Sequence, residues 1–388
     1  MSEPISNSPL VSILAMSYIE STEFLYECLD SILSQTYCSI ELVISNDGAE
    51  SFDESSVIAY IEARNSGNIK NIIVNKNKNN LGTVANCNTA LRLSGGDYVM
   101  FMACDDVYNN NEVISDMVEG FNSVPPDVLC IVAQTGMYNH DFSECERLFV
   151  SEETQKLINE LSPQEFYRKH LVLKPLLPAV SAIFKREAFE KYGEFDERYF
   201  LIEDYSFHIT STRQGMRYYY LDIMCANHRS DGASNGELTR QNFNVRRRFV
   251  LDRILLLQSI SNDKTLDENV LAEVNRLLDY HVKLHHDNFE APILRYIEET
   301  TPEPSTPLKG FFLISTSTKT LAALYMLALL FLLTSITLAT TEIFAGPEAA
   351  SAFFAHLGIV LFAVVLILVA LKVVVKVYVR LRRNNNER

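Results

Sequence analysis

The sequence predicts an α/β fold built on a doubly wound, mainly parallel sheet, followed by a helical region and two transmembrane helices. Two observations lead to this prediction. Short apolar runs that fit buried strands alternate with segments that carry apolar residues at helical spacing, the pattern of parallel strands joined by crossover helices. Near the end of the chain, two long runs, residues 320–341 and 349–371, contain no charged residue.

The first part of the chain carries four predicted strands separated by predicted helices. The strands lie at residues 10–16, 40–45, 72–75 and 98–103, and the helices at 24–33, 57–63 and 82–93. The second strand ends at Asp47-Gly48, a turn signal, and the fourth ends at Asp105-Asp106. Because ligands of such sheets bind beyond the carboxyl ends of the strands, both acidic turns are expected to open onto one rim.

Composition argues against several classes of protein. The chain has 388 residues, which suffices for one large or two modest domains. Its net charge of −15 argues against nucleic-acid binding, which needs Lys and Arg to neutralise phosphates. The 7 Cys include no pair at CxxC spacing, so reduced cytosolic thiols are expected rather than a disulfide framework. Residues 1–9 lack the basic and apolar regions of a secretory signal peptide.

The two charge-free runs are each long enough to cross about 30 Å of hydrocarbon as a helix. Buried core helices are the alternative, although soluble helices rarely stay apolar on every face. The loop between the runs carries only Glu342 and Glu348, whereas basic residues follow the second run: Lys372, Lys376, Arg380, Arg382, Arg383 and Arg388. Because positive flanks stay cytoplasmic, residues 1–307 are expected in the cytosol, at the inner face of the plasma membrane. Residues 308–315 fit an interfacial segment or a linker.

Five segments, in order, resemble the catalytic domain of family 2 inverting glycosyltransferases, which have the GT-A fold. They are VSILAMSYIESTEFLYECLDSILSQTY, SNDGAE, NNLGTVANCNTAL, GGDYVMFMACDD and FDERYFLIEDYSF. One such match alone is weak, but five in the right order are specific. The chain is therefore expected to hold a GT-A-like nucleotide-sugar-binding domain at 1–236, a helical bridging region at 237–307 and a membrane region at 308–388.

The resemblance implies a set of nucleotide-binding residues. Asp47 would accept the N–H of the base, usually uracil, and the ring of Tyr18 would lie beside that base. Asn88 matches an Asn of the family, although the Arg that commonly precedes it is Cys87 here. The alternatives are a solvated turn carboxylate for Asp47 and rim packing for Tyr18.

The resemblance also implies a divalent cation, Mg²⁺ or Mn²⁺, held by Asp105 and Asp106 against the diphosphate. The family usually shows Asp-x-Asp-Asp here, and Ala103 replaces the first Asp. His228 would ligate the metal and Arg229 would neutralise the diphosphate; both are expected just after the last strand. Helix capping by the Asp pair and an ordinary surface His-Arg pair are the alternatives.

The pair Glu203-Asp204 resembles the catalytic-base motif of the family. An inverting transfer needs a carboxylate that takes the proton of the acceptor hydroxyl. The resemblance assigns that role to Asp204, with Glu203 in support, both at the start of a helix. The alternative is that the helix dipole attracts carboxylates without any catalysis.

Together these features predict transfer of a sugar, from a nucleotide-sugar that is expected to be UDP-linked, to a hydroxyl of a lipid-linked saccharide. Bacterial surface-polysaccharide assembly fits this prediction. Two alternatives stay open: transfer to a polyprenyl phosphate, and an inactive membrane scaffold, which Ala103 and Cys87 motivate. The expected partners are the donor, the lipid-linked acceptor and the membrane, and self-association through the apolar runs is left open. The motifs do not specify the sugar, the acceptor or the linkage.

Overall fold

A computed structural model of the chain describes four stretches, residues 8–18, 22–174, 177–230 and 242–291. All of them belong to one compact unit, Met1–Tyr296. Within these stretches no helix is both long enough and apolar enough to cross a membrane. The predicted spans at 320–341 and 349–371, and the apolar segment 308–315, lie outside the described residues and stay predictions.

Strands and helices alternate through the described chain. The strands are β1 (Val11–Ser17), β2 (Ile40–Asn46), β3 (Ile69–Lys76), β4 (Tyr98–Ala103), β5 (Val107–Tyr108), β6 (Val128–Tyr138), β7 (Cys145–Leu148), β8 (Ala182–Lys185) and β9 (Arg217–Arg229). The α-helices are α1 (Thr22–Leu33), α2 (Glu54–Arg64), α3 (Thr83–Leu93), α4 (Val113–Ser123), α5 (Glu152–Glu160), α6 (Pro163–Phe166), α7 (Glu187–Tyr192), α8 (Glu203–Arg213), α9 (Phe243–Ser261) and α10 (Glu268–His285). Short turns of other helical types lie at Tyr167–Leu171, Ala179–Ser181 and His286–Glu290.

The four predicted strands and the helices between them are confirmed, each within a few residues. The central strands are buried on both faces, and β2 is buried along its whole length. This explains their nearly continuous apolar runs, as expected for strands covered by helices on both sides. In α1 the residues Leu25, Cys28, Leu29 and Ile32 are buried at helical spacing.

The sheet is mixed, so the prediction of a mainly parallel sheet is wrong for the second half of the domain. Its strand order is β3-β2-β1-β4-β8-β6-β9-β5, with β7 paired to β6. Strand β1 runs parallel to β2 and β4, but β8 lies antiparallel between β4 and β6. The segment with α5 and α6 does not carry the chain back to the edge of the sheet where β6 begins. Strand β8 therefore starts at the edge where β6 ends and runs antiparallel to it. Strand β6 itself is absent from the sequence prediction.

Helices α9 and α10 pack into the core of the sheet domain. Leu256, Leu257 and Ile260 of α9 belong to the hydrophobic cluster that contains Leu14 of β1. The described part of the predicted bridging region is therefore integrated with the sheet domain.

Candidate functional site

The candidate site lies at the edge of the sheet where β1, β2, β4 and β9 end. The first three strands are parallel, and β9 runs the same way because β8 is antiparallel to both β4 and β6, and β6 is parallel to β9. The ends of these strands therefore bring Tyr18, Asp47, the turn Asp105-Asp106 and His228 to one rim. His228 and Arg229 lie inside β9, not after it as predicted, because β9 continues its pairing with β6 as far as Arg229.

Asp47 is buried at the end of β2 and holds the start of α3. One of its carboxylate oxygens accepts from the backbone N–H of Leu81 at 2.8 Å, and the other accepts from Gly82 at 2.9 Å. The side-chain amide of Asn77 also donates to Asp47 at 3.1 Å. A carboxylate at this point satisfies N–H groups that a helix start otherwise leaves unpaired. The predicted contact between Asp47 and a nucleotide base stays a prediction.

A network of amides lies beside this carboxylate, with Asn86 buried and Asn75 and Asn77 half-buried. The Asn86 side-chain oxygen accepts from the Ser45 hydroxyl at 2.7 Å and from Asn77 at 2.9 Å, and its amide donates to the Ser45 carbonyl at 2.9 Å. The Asn75 amide donates to the Ser45 hydroxyl at 3.0 Å. Hydrogen-bonded networks of this kind favour one arrangement of the chain, so these bonds hold the rim beside Asp47 in one geometry.

Asn88 and Tyr18, both predicted to contact the nucleotide, have different settings. Asn88 is buried, and its side chain donates to the Phe195 carbonyl and to Glu197, both at 2.9 Å, and accepts from the Phe195 N–H at 3.0 Å. It supports the segment before the base motif, and a nucleotide contact by Asn88 stays a prediction. Tyr18 is 41% exposed at the rim, as a ring that receives a base needs to be.

Asp106 and His228 form a pair across the rim. A carboxylate oxygen of Asp106 lies 2.8 Å from the His228 Nδ1, and its other oxygen accepts the Arg229 backbone N–H at 3.1 Å. Burial lowers the pKa of His228, but the nearby carboxylates of Asp106 and Asp105 outweigh it, so the pKa is raised above its ordinary value. A carboxylate on Nδ1 fixes the ring and directs Nε2 away from it, as in many carboxylate–histidine–metal arrangements.

No three His, Cys, Asp or Glu side chains lie together as a metal-binding cluster anywhere in the described stretches. Asp105, Asp106 and His228 nevertheless offer the carboxylate and imidazole ligands that Mg²⁺ and Mn²⁺ accept. Mg²⁺ is commonly held by one or two carboxylates together with substrate phosphates. The residues present therefore fit a cation that arrives with a diphosphate.

Arg229 does not face the rim as a free cation but anchors it from inside. Its side chain is 2% exposed, and its guanidinium donates to the carbonyl oxygens of Asp105 and His140 and to the carboxylate of Glu27. These bonds join α1, the acidic turn and the β6–β7 hairpin. Because the guanidinium is thus engaged, the predicted diphosphate contact of Arg229 is not supported by its geometry.

Two phenyl rings enclose this guanidinium. The Arg229 Cζ lies 3.9 Å from the ring centroid of Phe24 and 4.0 Å from that of Phe142. Phe142 has a φ of 58°, the only positive φ of a non-glycine residue in the described stretches. Left-handed backbone is unfavourable for a bulky residue and persists only when its surroundings hold it. The stacking of Phe142 on Arg229 supplies such a constraint.

Glu203 and Asp204 occupy the first turn of α8, as predicted. The Asp204 carboxylate accepts from the Tyr205 N–H at 2.6 Å. Burial, the neighbouring Asp204 and the more distant Asp252 raise the pKa of Glu203 well above its ordinary value. Burial also raises the pKa of Asp204, against backbone N–H groups of Tyr205 and Ala179 and the nearby Arg253. Of the two, Asp204 therefore has the surroundings that better support a carboxylate anion.

The buried thiol of Cys87, on α3, is within electrostatic reach of both sides of the candidate site. Its pKa is raised first by burial and then by the carboxylates of Glu203, Asp204 and Asp47. The predicted donor-side carboxylate and the predicted base pair therefore both lie near one residue of α3. Cys87 itself is 1% exposed, so its side chain is a small buried group of the core.

Several residues of this site escape the sequence prediction. Glu27 and Phe24 read as ordinary exposed and apolar positions of an amphipathic helix, and nothing marks Phe142 as left-handed. The Asn-rich stretch 75–80 is a signal that was available, because repeated Asn beside an acidic turn indicates a polar network.

Comparison with known proteins gives a family match over part of the chain. Residues 12–193 match the model of Glycosyl transferase family 2. The chain is 24% identical over 212 residues to an uncharacterized glycosyltransferase, MJ1057, of Methanocaldococcus jannaschii, a match covering 52% of this chain and 64% of that protein. It is 27% identical over 217 residues to the uncharacterized glycosyltransferase EpsJ of Bacillus subtilis, covering 55% and 59%. The chain thus spans less than two thirds of the length of either relative.

Solved structures similar to this chain, at low sequence identity, include those of two proteins. A mannosyltransferase from Pyrobaculum calidifontis, in complex with GDP-Man and Mn²⁺, has a TM-score of 0.49 and 16% identity over 83% of this chain and 84% of that one. Staphylococcus aureus TarS 1–349, in complex with UDP, has a TM-score of 0.47 and 17% identity over 72% of each chain. The family match includes Asp47 and Asp105-Asp106 but ends before Glu203-Asp204 and His228.

Proposed function

We propose that this chain, whose residues 12–193 match the model of Glycosyl transferase family 2, transfers a sugar from a nucleotide-sugar to an acceptor hydroxyl with inversion at the anomeric carbon. The observation that supports this most is the short link from Asp47 to the base pair. Asp47 accepts the Gly82 N–H at 2.9 Å, and Gly82 packs against Phe200, three residues before Glu203. The candidate donor-binding carboxylate and the candidate base pair therefore border one region of the domain, as a donor and an acceptor that react with each other require.

The donor would lie along the rim from β2 to β4. Asp47 and the exposed ring of Tyr18 flank the first part of that rim and would hold the base. The amide network beside Asp47 suits a site that must hold its ligand in one orientation. We propose a UDP-linked donor, on the resemblance of the SNDGAE turn to the family's uracil-binding turn.

The acidic turn would hold the diphosphate through a divalent cation. Such a cation supplies positive charge that stabilises the leaving diphosphate. Asp105 and Asp106 would hold it, with His228 kept in orientation by Asp106. Arg229 would fix the backbone of the turn, so that these side chains stay in place.

Asp204 would act as the base. Its carboxylate takes the proton of the acceptor hydroxyl while that oxygen forms a bond to the anomeric carbon. The bond from the anomeric carbon to the diphosphate breaks at the same time, and the electron pair leaves with the nucleoside diphosphate. A raised pKa suits this role because a base works best when its pKa lies near the working pH. Glu203, whose pKa is raised further, would keep its proton and donate a hydrogen bond to the acceptor.

The acceptor we propose is a lipid-linked saccharide at the cytoplasmic face of the plasma membrane. The support is the pair of charge-free runs at 320–341 and 349–371 with basic residues after the second. An enzyme anchored in this way shares a surface with a lipid-bound substrate.

Transfer to a polyprenyl phosphate is the second candidate within the same chemistry. A phosphate acceptor is already ionised and has little need of a base. The elaborate setting of Glu203-Asp204 therefore favours a hydroxyl acceptor. Supplying labelled donor with polyprenyl phosphate alone separates the two, because efficient product formation would contradict the hydroxyl proposal.

An inactive scaffold is the candidate from a different class. The observations that favour it are Ala103, which removes one family carboxylate, and the use of both Asp106 oxygens within the protein. A thermal-shift screen of nucleotide-sugars with and without Mn²⁺ tests it. We expect one donor to raise the melting temperature of the wild type in the presence of Mn²⁺ and not that of D105N. No shift with any nucleotide would favour the scaffold.

A further inference from the structure

Asp252 is a carboxylate buried in the middle of a helix that the family match does not reach. It lies on α9 and is 6% exposed. One of its oxygens accepts the backbone N–H groups of two consecutive residues, Phe200 at 2.8 Å and Leu201 at 2.7 Å. These two residues come directly before Ile202 and the start of α8, where Glu203 and Asp204 lie.

The burial of this carboxylate is unfavourable by itself, since burial raises its pKa against the hydrogen bonds from the Leu201, Phe200 and Ile202 backbone and the charge of Arg248. A buried charged group is retained at such a position where specific bonds compensate for its desolvation. Ile202, the residue that precedes α8, makes no side-chain capping bond. Asp252 therefore supplies from α9 the fixation that α8 lacks in its own sequence.

Phe200 is held from the opposite side by α3. The Val84 N–H donates to the Phe200 carbonyl at 3.3 Å, and Gly82 packs so closely that an added Cβ would lie 2.6 Å from the Phe200 ring. The Arg248 guanidinium lies 5.2 Å from the centroid of that ring. Residues 200–201 are thus clamped between α3, whose start Asp47 holds, and α9.

One further contact joins α9 to the base turn. The guanidinium of Arg253, the residue after Asp252, lies 4.9 Å from the ring centroid of Tyr205. Tyr205 follows Asp204 directly. The segment from 200 to 205 is therefore fastened to α9 on both sides of Glu203-Asp204.

We infer that Asp252 is a positioning residue for the Glu203-Asp204 pair, acting by holding the 200–201 backbone in place. This rests on the proposed function, in which Asp204 is the base. It makes α9 part of the catalytic apparatus, although Asp252 touches no reacting atom. A displacement of about 1 Å in the position of a catalytic base lowers the reaction rate about 100-fold. We therefore expect the loss of Asp252 to lower kcat and to leave donor binding nearly unchanged.

The test compares three variants of the full chain. D252A removes the acceptor of both N–H groups, whereas D252N keeps a carbonyl oxygen that can accept them. D263A is the matched control: Asp263 is also buried, and it accepts from the Tyr167 hydroxyl at 2.7 Å and the Thr265 N–H at 2.9 Å, away from the base turn. We expect D252A to lower kcat about 100-fold with donor KM changed less than about 3-fold. D252N should recover most of kcat, and D263A should keep it while losing stability.

Hydrogen–deuterium exchange gives a readout that does not depend on activity. Peptides covering 198–206 should exchange faster in D252A than in wild type, and at the wild-type rate in D263A. An unchanged kcat in D252A, or equal losses of kcat in D252A and D263A, would overturn the inference. If the wild type transfers no sugar from any donor, the proposed function fails instead. In that case, unchanged exchange of peptides 198–206 in D252A would also show that Asp252 does not hold the 200–201 backbone in place.

Discussion

Arg229 donates a hydrogen bond to the backbone carbonyl of Asp105 from a guanidinium that is enclosed by two phenyl rings. The geometry of the acidic turn is therefore set by a residue at the end of β9, far along the chain. A cation that looks like a phosphate ligand in the sequence is a structural anchor of the turn in the fold.

Replacing Arg229 with Met should weaken both the fold and metal use. The substitution leaves the carbonyls of Asp105 and His140 without their donor, so we expect a loss of about 2–4 kcal/mol in the free energy of unfolding. The Mn²⁺ concentration for half-maximal activity should rise, because the turn that holds Asp105 is released. Denaturant unfolding and metal titration measure the two effects.

R147M is the control for this prediction. Arg147 lies on the exposed strand β7 of the same hairpin, with its Cζ 5.9 Å from the Phe149 ring. Because the charge of Arg147 also lowers the pKa of His228, R147M controls for stability alone, and its free energy of unfolding should stay close to that of the wild type. Equal effects of R147M and R229M on that free energy would contradict the anchoring role of Arg229.

Gly82 tests the clamp on Phe200. Gly82 has a φ of 90°, and a Cβ there would lie 2.6 Å from the Phe200 ring and 2.7 Å from its carbonyl oxygen. G82A should therefore lower the free energy of unfolding and reduce kcat. Gly67 has a φ of 98° but no atom within 4 Å of such a Cβ, so G67A carries the backbone strain alone. We expect G82A to lose about 1–3 kcal/mol more than G67A; equal losses in denaturant unfolding would contradict the close packing.

Much of the sheet could be predicted from the sequence because its central strands are buried on both faces. Continuous apolar runs in β1, β2 and β4 leave few alternatives, and the acidic turns follow them directly. The mixed order of the second half could not be predicted. The direction of β8 depends on the edge of the sheet at which the chain arrives after α5 and α6, and no local sequence pattern indicates which edge that is.

The positions of the candidate carboxylates could be predicted from the sequence, but the residues that hold them in place could not. Asp47, Asp105 and Asp204 stand in recognisable motifs, whereas Asp252 stands in a helix with ordinary composition. Its two bonds to the 200–201 backbone depend on how α9 packs, which is a tertiary property. Arg229 is a second example. In the sequence it suggests a diphosphate ligand, but in the fold its buried guanidinium anchors the acidic turn.

His208 should make the fold sensitive to acid. Burial lowers the pKa of His208 to about 3, against a hydrogen bond with the Leu177 backbone, while the unfolded chain titrates near 6.5. The unfolded state therefore binds more protons between these values, and stability falls as pH drops from 6.5 towards 3. Between pH 8 and pH 5 this amounts to about 2 kcal/mol.

The variant H208Q removes this titration. The difference in stability between wild type and H208Q, measured by denaturant unfolding, should shift by about that amount against the wild type from pH 8 to pH 5. Other titrating groups, such as Glu203, are present in both proteins and cancel in the comparison. A difference that does not vary with pH would show that His208 is not held neutral.

Asp47 should matter for nucleotide binding beyond its structural bonds. D47A removes the acceptor of the Leu81 and Gly82 N–H groups, so we expect a stability loss of about 1–3 kcal/mol together with loss of UDP binding. D53A is the control, because Asp53 caps α2 through the N–H groups of Ser55 and Ser56. Calorimetric titration with UDP should show unchanged affinity for D53A. Wild-type affinity in folded D47A would reject the base-binding role.

The central claim is that Asp204 is the base of a sugar transfer, and a kinetic comparison tests it most directly. The measurement is transfer from labelled UDP-sugar to a saccharide acceptor by the wild type, D204N and E203Q, with UDP affinity determined for each. We expect D204N to bind UDP as the wild type does and to lose at least about 100-fold in kcat, as removal of a general base requires, while E203Q keeps more activity. Transfer by D204N at the wild-type rate would contradict the account.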